Sequence, residues 1–527
     1  MLISDAMKQH FHKTQSCERN QHNAGFCIVL AFFIFHFSDL KESGCHPYFF
    51  FYSCIPIVKN MIKLNLVGDK MKNMTQGNVT KLIMAFAIPV LLGNVFQQFY
   101  TMADTMMVGQ ILGVNSLAAI GASASLSNLV IGLCTGVSMG VSIMIAQYYG
   151  ARDEEGMKKA TAGCIKLCMI SVAVIFVVAI LLKKPLLYLL QTPSSILGMA
   201  DSYLTIIIIG LFVTMAYNMM ASMMRSIGDS RTPLYFLIIA SILNVALDYI
   251  FIAIIQLGVA GAAYATVIAQ LVSVILCFLY MRKKYPMFIV KKEDFHVERE
   301  ILRKQLSMGI SMGLMNSIVS LGSVILQSAV NSLGEVTIAA HTAARKVVEM
   351  FMQPLISIAI ADTTFVSQNL GAQRFSRIRA GMKSSVWISF LWVCIVVLLS
   401  FTCIDFFIGF LVNAKQTEVI SLAAYYTRIS SVFYFILAVL FIYRNGLQGL
   451  GNGRGPIISS CIEMAVKIAA IFALIPFTGY TGVCLAEPIA WSLMGPCLMV
   501  FFYRDLKRKE QQLEMHTLEA YQKIELP

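Results

Sequence analysis

The stretch GQILGVNSLAA at Gly109–Ala119 has a counterpart in VNSLGEVTIAA at Val330–Ala340. The two stretches align with a shift of 221 residues, and the same shift pairs Gln147 with Gln368. Weak internal similarity over so long a period is typical of chains built from two duplicated units. The repeat therefore predicts two homologous halves.

The composition predicts that both halves lie in a membrane. Hydrophobic residues make up 57% of the 527-residue chain and charged residues only 13%, whereas soluble domains carry roughly 25% charged residues. A membrane-spanning helix needs about 20 mainly apolar residues. The chain has twelve such apolar segments, predicted as spans one to twelve: Ile83–Val108, Leu117–Tyr148, Ala162–Leu182, Tyr203–Met224, Leu234–Ile255, Val259–Tyr280, Leu306–Val330, Ile338–Phe365, Val386–Val412, Val419–Tyr443, Ile457–Phe477 and Val483–Tyr503.

Each repeat contains six spans, so both repeats have the same orientation in the bilayer. Repeats of this kind are related by a pseudo-two-fold axis along the membrane normal. The sequence therefore predicts an all-α integral membrane protein with twelve transmembrane helices in two six-helix lobes. The predicted parts are an N-lobe at 71–290, a cytoplasmic linker at 291–305, a C-lobe at 306–510 and a cytoplasmic tail at 511–527.

The distribution of basic residues predicts how the chain is oriented. The formal net charge is +13, and basic loops next to short spans face the cytoplasm. The loops on one side hold most of the Lys and Arg residues: Arg152, Lys158, Lys159, Arg225, Arg231, Arg282, Lys283, Lys284, Lys291, Lys292, Arg299, Arg303, Lys304, Arg374, Arg377, Arg379, Lys383, Arg444 and Arg454. The loops on the other side hold only Lys183, Lys184 and Lys415. We therefore expect a multi-pass protein of the plasma (inner) membrane with both termini in the cytoplasm, and the charge requires no nucleic-acid partner.

Residues 1–70 match neither repeat. They contain five of the eight histidines and four of the 13 cysteines, but the spacings fit no common zinc pattern. The cysteines elsewhere lie mostly within apolar segments, and we interpret them as packing residues. Met71 offers a second start directly before the first span. We interpret residues 1–70 as an N-terminal extension or as an artefact of start-site choice.

Two glycine patterns have different meanings. Gly132, Gly136 and Gly140 recur every four residues in span two and predict a close helix–helix contact. The run Gly449–Gly455 imitates a phosphate-binding loop, but it lies between two spans and lacks the Lys-Ser/Thr pair. The sequence therefore does not predict nucleotide binding.

Two carboxylates lie inside predicted spans of the first half. Asp104 is in span one and Asp248 is in span five, where Asn244 shares its helix face. Thr266 adds a hydroxyl from span six. An ionisable residue inside a span costs about 2.5–3.5 kcal/mol on insertion scales, so it calls for a reason. This all-oxygen set suits a hard cation or a shared proton; the alternative is that the acids cap helix ends or form structural hydrogen bonds.

The second half carries intramembrane charges of both signs. Glu463 and Lys467 are four residues apart in span eleven, and Glu487 is in span twelve. Charges of opposite sign favour internal salt bridges. We therefore predict an ion-pair cluster of Glu463, Lys467 and Glu487 that holds spans eleven and twelve together.

The repeat predicts that the two halves differ in ion binding. A shift of 221 residues places Ile325 opposite Asp104, and a shift of 223 places Ile471 opposite Asp248. Lys467 likewise stands opposite the amide of the first half. Because an ammonium group repels a cation, we expect ion binding in the N-lobe alone.

Several stretches at matching spacing resemble the multidrug and toxic compound extrusion (MATE) family. They are Ile88–Asn94, Ala103–Gly109, Ala146–Ala151, Arg225–Pro233 and Gly258–Ala263. The resemblance runs from about Met74 to Lys509. It is closest to the prokaryotic branch that resembles the DNA-damage-inducible F proteins.

The resemblance implies roles for individual residues. Four of them match the cation or proton site in the N-lobe of that branch: Asp104, Asn244, Asp248 and Thr266. Tyr203 looks like the aromatic residue near that site, and Pro89 matches the proline at which the first helix is proposed to bend. The glutamate that the sodium-driven branch carries in its seventh helix has no counterpart in Leu306–Val330. This departure puts an ion site in the C-lobe in doubt.

The resemblance also implies a function. We expect a secondary antiporter, not an enzyme, that exports drugs or toxins, especially organic cationic amphipaths, in exchange for H⁺ or Na⁺. We expect no cofactor, no metal other than Na⁺ at the N-lobe site, and a monomer in the lipid bilayer. A lipid-linked saccharide flippase of related architecture is the alternative, although its cavity needs basic groups for a pyrophosphate. A membrane-embedded enzyme or a receptor fits less well, because the sequence offers no catalytic constellation and a receptor needs no repeat.

Overall fold

The computed structural model describes residues 73–190, 192–412 and 416–524. The predictions for residues 1–70 and for Lys415 fall outside these ranges. The described residues form helices and turns, with no strand among them. We number the α-helices in chain order: α1 (Val79–Leu112), α2 (Val114–Ala151), α3 (Glu154–Leu189), α4 (Ser194–Ile209), α5 (Leu211–Ser226), α6 (Arg231–Asp248), α7 (Val259–Lys284), α8 (Arg299–Asn331), α9 (Glu335–Gly371), α10 (Phe375–Thr402), α11 (Ile404–Leu411), α12 (Thr417–Val432), α13 (Tyr434–Gly449), α14 (Arg454–Thr478) and α15 (Tyr480–Ile524).

Ten of the described helices are long and apolar enough to cross a membrane singly. Two further spans are bent pairs, α4 with α5 at 44° and α12 with α13 at 55°. Counted as one span each, the pairs complete the twelve predicted spans, with six in each half. The all-helical fold of two six-helix lobes is confirmed.

The bend between α4 and α5 has a local cause. The break falls at Gly210, where a Cβ atom would overlap the side chain of Val267 on α7. A glycine allows this close approach because it has no Cβ. The sequence predicted one continuous span here, and the structure instead divides it.

Several helices extend beyond the predicted apolar segments. Span four was predicted to end at Met224 and span ten at Tyr443, but α5 runs to Ser226 and α13 to Gly449. Arg225 and Arg444, assigned to loops from the sequence, are therefore helical. In the same way α8 begins at Arg299, inside the predicted linker 291–305. A polar residue that directly follows an apolar run does not reveal whether the helix continues.

Each lobe has its own apolar core. Methionines of α5, including Met215, Met223 and Met224, pack with Cys164 and Cys168 in the N-lobe. In the C-lobe the larger cluster is rich in aromatic residues: Phe375, Tyr426, Tyr434, Tyr443, Trp491 and Phe502. The methionines of α5 are therefore core residues of the N-lobe.

The lobes meet along α2 and α8, where glycines permit direct backbone contact. A Cβ at Gly136 would lie 2.6 Å from the carbonyl oxygen of Met312, and Gly140 faces Met308 and Gly309 even more closely. Gly132 accepts a hydrogen bond from Asn316 Nδ2 at 3.3 Å. Gly136 and Gly140 thus form the close helix contact predicted for span two, and this contact joins the two lobes, whereas a Cβ at Gly132 would meet no atom within 4 Å.

The lobes also meet at the end of the bundle that carries most of the basic residues, which we call the basic end. Here α2 crosses α9, and a Cβ at Gly150 would overlap the carbonyl of Gln368, while one at Gly371 would overlap the carbonyl of Gln147. The repeat pairs these four positions with each other, so the crossing is pseudo-symmetric. Gln368 Nε2 also donates to the carbonyl of Ser226 at 2.7 Å.

The hydrogen bonds between the lobes are unevenly distributed along the bundle. Within the described ranges they lie at the basic end and in the middle, from Met74–Gln368 to Gly132–Asn316. The lobes are therefore fastened to each other on the basic side.

Candidate cation site in the N-lobe

Four helical segments of the N-lobe converge on one apolar cluster near the end opposite the basic end. Val108 of α1, Ile252 after α6 and Ala262 of α7 form its buried centre, and Tyr203 of α4 packs against it. Residues four apart share a helix face. The polar residues of the predicted site lie four positions from these three members, at Asp104, Asp248 and Thr266. They therefore lie beside the apolar cluster.

These polar residues are buried next to that cluster. Asp104 is 9% exposed, Asn244 3% and Asp248 0%, and Thr266 is half-buried. The helices that carry these residues pack against one another, α1 against α6 and α6 against α7. The fold thus brings together the four residues that the sequence singled out.

The site has more acceptors than donors. Asn244 Nδ2 donates to Thr266 Oγ1 at 3.4 Å, and that hydroxyl donates to the carbonyl of Ala262 at 3.1 Å. Among the described residues, no partner contacts Asp104 Oδ1, Asn244 Oδ1 or either carboxylate oxygen of Asp248. Buried polar atoms are normally hydrogen-bonded. Four unpartnered oxygens in one place fit a bound hard cation or added protons.

A feature that the sequence did not predict lies directly beside the site. The helix that ends at Asp248 continues as a π-helix over Tyr249–Ile254, and Ile255 N donates to the carbonyl of Ile250 at 2.8 Å. π-Bulges are rare and occur frequently at functional sites. The helical turn that follows Asp248 is therefore wider than a turn of an ordinary α-helical span.

Tyr203 and Pro89 occupy different parts of the N-lobe. Tyr203 packs against both apolar clusters that flank the site. Pro89 is buried inside α1, which runs as one helix from Val79 to Leu112. Its ring removes one backbone donor from that helix. The role of Pro89 as a bending point stays a prediction.

The equivalent region of the C-lobe is charged but saturated. Lys467 Nζ contacts Glu487 Oε1 at 2.9 Å, and Arg345 Nη1 contacts Glu487 Oε2 at 3.1 Å. Tyr426 also donates to Glu487 Oε2 at 3.4 Å. One carboxylate therefore bridges two cations on α14 and α9, and both of its oxygens have partners.

Glu463 belongs to a separate pair. Its carboxylate contacts the guanidinium of Arg444 on α13, and both side chains are largely buried. The predicted cluster of Glu463, Lys467 and Glu487 thus divides into an Arg444–Glu463 pair and an Arg345–Glu487–Lys467 triad. Arg444 was missed as a partner because the sequence placed it in a loop.

A second buried acid of the C-lobe was also missed. Asp362 on α9 is 0% exposed and accepts a hydrogen bond from Ser385 Oγ at 2.5 Å. It lies at the end of an apolar segment beside Thr363 and Thr364, a context that from sequence alone is typical of a span boundary. Among the described residues it has no cationic partner, so it stands apart from the ion pairs.

The fold and these sites define a two-lobe membrane transporter with an acidic, acceptor-rich N-lobe and an ion-paired C-lobe. The family model for MatE matches residues 89–250 and 312–473, together more than half of the chain. The chain belongs to the MATE family. The two matched stretches begin 223 residues apart, in agreement with the internal repeat.

The chain matches curated relatives over almost the full length of those relatives. The chain is 26% identical over 438 residues to the probable multidrug resistance protein YoeA of Bacillus subtilis, covering 81% of this chain and 94% of that protein. It is 20% identical over 436 residues to the multidrug export protein MepA of Staphylococcus saprophyticus, covering 82% and 95%. These similarities support export of small molecules across a membrane as the general activity.

Solved structures share the fold. A structure described as the outward-facing conformation of a multidrug resistance MATE family transporter matches with a TM-score of 0.78 at 22% identity. The match covers 84% of this chain and 99% of that one. The two-lobe architecture is therefore the same.

Proposed function

We propose that this protein is a secondary antiporter that exports organic amphipathic compounds, especially cations, in exchange for inward-moving H⁺ or Na⁺. The observation that carries the proposal is the set of four unpartnered oxygens at Asp104, Asn244 and Asp248. An empty set of buried carboxylates is costly unless a cation or protons occupy it. In this proposal, binding or release of the ion favours one arrangement of the surrounding helices over another.

The proton is the preferred coupling ion. Two neighbouring carboxyl groups in an apolar setting are best accommodated when they share protons, because like charges at short range disfavour double ionisation. Na⁺ remains the other candidate since the set is all oxygen.

The proposed transport cycle uses the contacts between the lobes. By the positive-inside rule the basic end faces the cytoplasm, and there the lobes are fastened through Gly150 and Gly371. This arrangement corresponds to a transporter closed toward the cytoplasm. Opening that contact would expose the facing surfaces of the two lobes to cytoplasmic solutes, and the ion site near the opposite end would be loaded from outside.

We further propose that the protein resides in the plasma (inner) membrane as a monomer with both termini in the cytoplasm. Each lobe contains its own core, so the transport unit needs no second copy. The flippase alternative lacks support from a specific contact. The cations deep in the C-lobe, Arg345 and Lys467, are already neutralised by Glu487 and are poorly placed to hold a pyrophosphate.

The test is efflux of a fluorescent organic cation from proteoliposomes under an imposed ΔpH or an imposed ΔNa⁺, each applied alone. We expect ΔpH to drive efflux at constant Na⁺ and uncouplers to stop it. Efflux that follows ΔNa⁺ at constant pH would assign Na⁺ to the same site. Efflux that needs neither gradient but requires nucleotide hydrolysis would refute antiport.

A further inference from the structure

A small polar pocket lies between the lobes beside the contact at the basic end. It is lined by α2 and α5 of the N-lobe and by α9 of the C-lobe. Six hydroxyl side chains line it: Ser142, Ser222, Ser226, Thr363, Thr364 and Ser367. The pocket also contains one charged side chain, Arg225 of α5. It is remote along the chain and along the bundle from the carboxylates of the N-lobe site.

The pocket lies on the pseudo-two-fold axis. The 221-residue shift pairs Ser142 with Thr363 and Ala146 with Ser367, and all four residues line it. A ligand held there contacts equivalent faces of both lobes at once. The charge is nevertheless one-sided, because the repeat places Gln448 opposite Arg225.

Arg225 has little to neutralise it. Its Nη2 donates to Ser222 Oγ at 3.0 Å, and within the described ranges no carboxylate forms an ion pair with it. A guanidinium has five donors in a rigid fork. The side chain of Arg225 is half-buried, and within the described residues Ser222 is the acceptor that contacts its guanidinium, so its other donors face the pocket or solvent.

Two hydroxyls of the pocket are free to donate to a ligand. Ser142, Ser226 and Ser367 donate to backbone carbonyls. Ser222 accepts from Arg225, and Thr364 donates to no group in the described part of the chain. A guanidinium flanked by hydroxyl donors is the usual protein environment for a carboxylate or another oxyanion.

We propose that this pocket binds an oxyanionic group, such as the carboxylate of an amphipathic solute, through Arg225 with Ser222 and Thr364. A solute that carries an acid group is then held by that group where the lobes close. The inference adds a binding subsite to the proposed function and rests on it. It does not depend on which ion drives export.

A structural explanation for Arg225 also exists. It lies in the last turn of α5, where a cation interacts favourably with the helix dipole. That role predicts an equal effect on any ligand, whereas an anion site predicts discrimination between an acid and its ester. The two explanations therefore separate in a binding experiment.

The experiment compares a rhodamine dye that carries a free benzoate with the methyl ester of the same dye. Fluorescence anisotropy of the purified full-length protein in detergent measures binding without an ion gradient, so its outcome is independent of coupled export. We expect wild type to bind the acid more tightly than the ester. Arg225→Gln should weaken binding of the acid by about tenfold or more and leave the ester unchanged or tighter.

Three further variants complete the test. Arg225→Lys should retain part of the preference, and Thr364→Val should reduce binding of the acid alone. Arg454→Gln, which removes an exposed arginine at the same end, is the matched control and should change nothing. If Arg225→Gln fails to fold, Ser222→Ala, which removes the hydrogen-bond partner of Arg225, carries the same expectation.

Competition identifies the source of the anion. Sulfate at constant ionic strength should displace the acid from wild type if the pocket also takes free oxyanions, and should not displace the ester. The proposal is wrong if wild type shows no preference for the acid, if Arg225→Gln weakens both dyes equally, or if sulfate displaces both dyes alike.

Discussion

The two lobes have the same fold but opposite polar chemistry at equivalent positions. In the N-lobe, Asp104 and Asp248 leave carboxylate oxygens without partners. In the C-lobe, isoleucines stand opposite them, and Glu487 has both oxygens occupied by cations. The two lobes share the apolar pattern that builds six spans and differ in the polar residues at equivalent positions. The proposed function assigns ion exchange to the N-lobe and leaves the charges of the C-lobe to hold its helices together.

The largest expected effect comes from removing the acids of the N-lobe. Asp104→Asn or Asp248→Asn should reduce gradient-driven efflux to the level of empty liposomes, because each removes a charge that the coupling ion must neutralise. Asparagine keeps the size and much of the hydrogen bonding, so the protein should remain folded. Efflux from proteoliposomes and the thermal unfolding midpoint in detergent measure the two outcomes.

Asp405→Asn is the matched control. Asp405 in the first turn of α11 pairs with Arg428 of α12, and its side chain is 56% exposed, so this variant should pump normally. Normal ion dependence in both N-lobe variants would show that coupling resides elsewhere, and the buried Asp362 would then be the next residue to test.

The second prediction concerns a contact to which the two lobes contribute equivalent residues. Gly150→Val and Gly371→Val should each prevent the crossing of α2 and α9, since either side chain would collide with a glutamine carbonyl of the opposite lobe. Both variants should lose most transport while each lobe stays folded. Labelling of a cysteine introduced at Ser367, in the pocket beside the crossing, should rise in both.

The symmetry of these two effects is itself informative. Equal losses of transport in the two glycine variants would show that the crossing of α2 and α9 is symmetric, in contrast to the ion site. Gly132→Val is the control, because a Cβ at Gly132 meets no atom within 4 Å. A loss in only one of the two gate variants would contradict the pseudo-symmetric crossing.

Much of this organisation could be predicted from the sequence because it depends on hydrophobic pattern. All twelve spans were found, since a stretch of about 20 apolar residues is a strong signal. The residues Asp104, Asn244, Asp248 and Thr266 could be singled out, because each interrupts an apolar stretch and matches a family motif, and their role in ion binding stays a prediction. Their proximity depends on which spans pack against each other, and the hydrophobic pattern of a single span does not reveal this.

The two arginines that were missed share one physical cause. Arg225 and Arg444 each directly follow an apolar segment, and the same local pattern serves for a loop residue and for a buried cation. The partner of Arg444 is Glu463, 19 residues away on the next helix, so only the packing of α13 on α14 reveals the pair. The π-helix after Asp248 lacks any glycine or proline that would have indicated it.

The third prediction tests whether the charges of the C-lobe are structural. Arg444→Met should strand Glu463 in the core and lower the free energy of unfolding by roughly 3–5 kcal/mol, the cost of breaking a buried pair. Lys467→Met should have a smaller effect, because Arg345 still contacts Glu487. Thermal unfolding in detergent measures the order of the two.

Double variants provide the control. Arg444→Met with Glu463→Gln, and Lys467→Met with Glu487→Gln, should each regain much of the lost stability and keep normal ion dependence. A Lys467→Met, Glu487→Gln protein that is stable but uncoupled would place ion coupling in the C-lobe as well, and the asymmetry between the lobes would be disproved.

The smallest effect is expected at the hydroxyl of the N-lobe site, where it refines the comparison between ions. Thr266 Oγ1 donates to a backbone carbonyl and accepts from Asn244, so it orients the amide whose oxygen has no other partner. Thr266→Val keeps the shape and removes this contact, which is worth about 0.5–1.5 kcal/mol for a neutral hydrogen bond. The half-saturating ion concentration for efflux should therefore rise by a few-fold, with the maximal rate little changed.

If Na⁺ is the coupling ion, the variant should shift the Na⁺ dependence, because the hydroxyl and the amide are both oxygen ligands of the metal. If the proton is the ion, the variant should shift the pH dependence only slightly, since the proton resides on a carboxyl group. Thr337→Val in the C-lobe, where the hydroxyl donates only to the carbonyl of Leu333, removes a similar hydroxyl without touching either polar cluster and should leave both dependences unchanged.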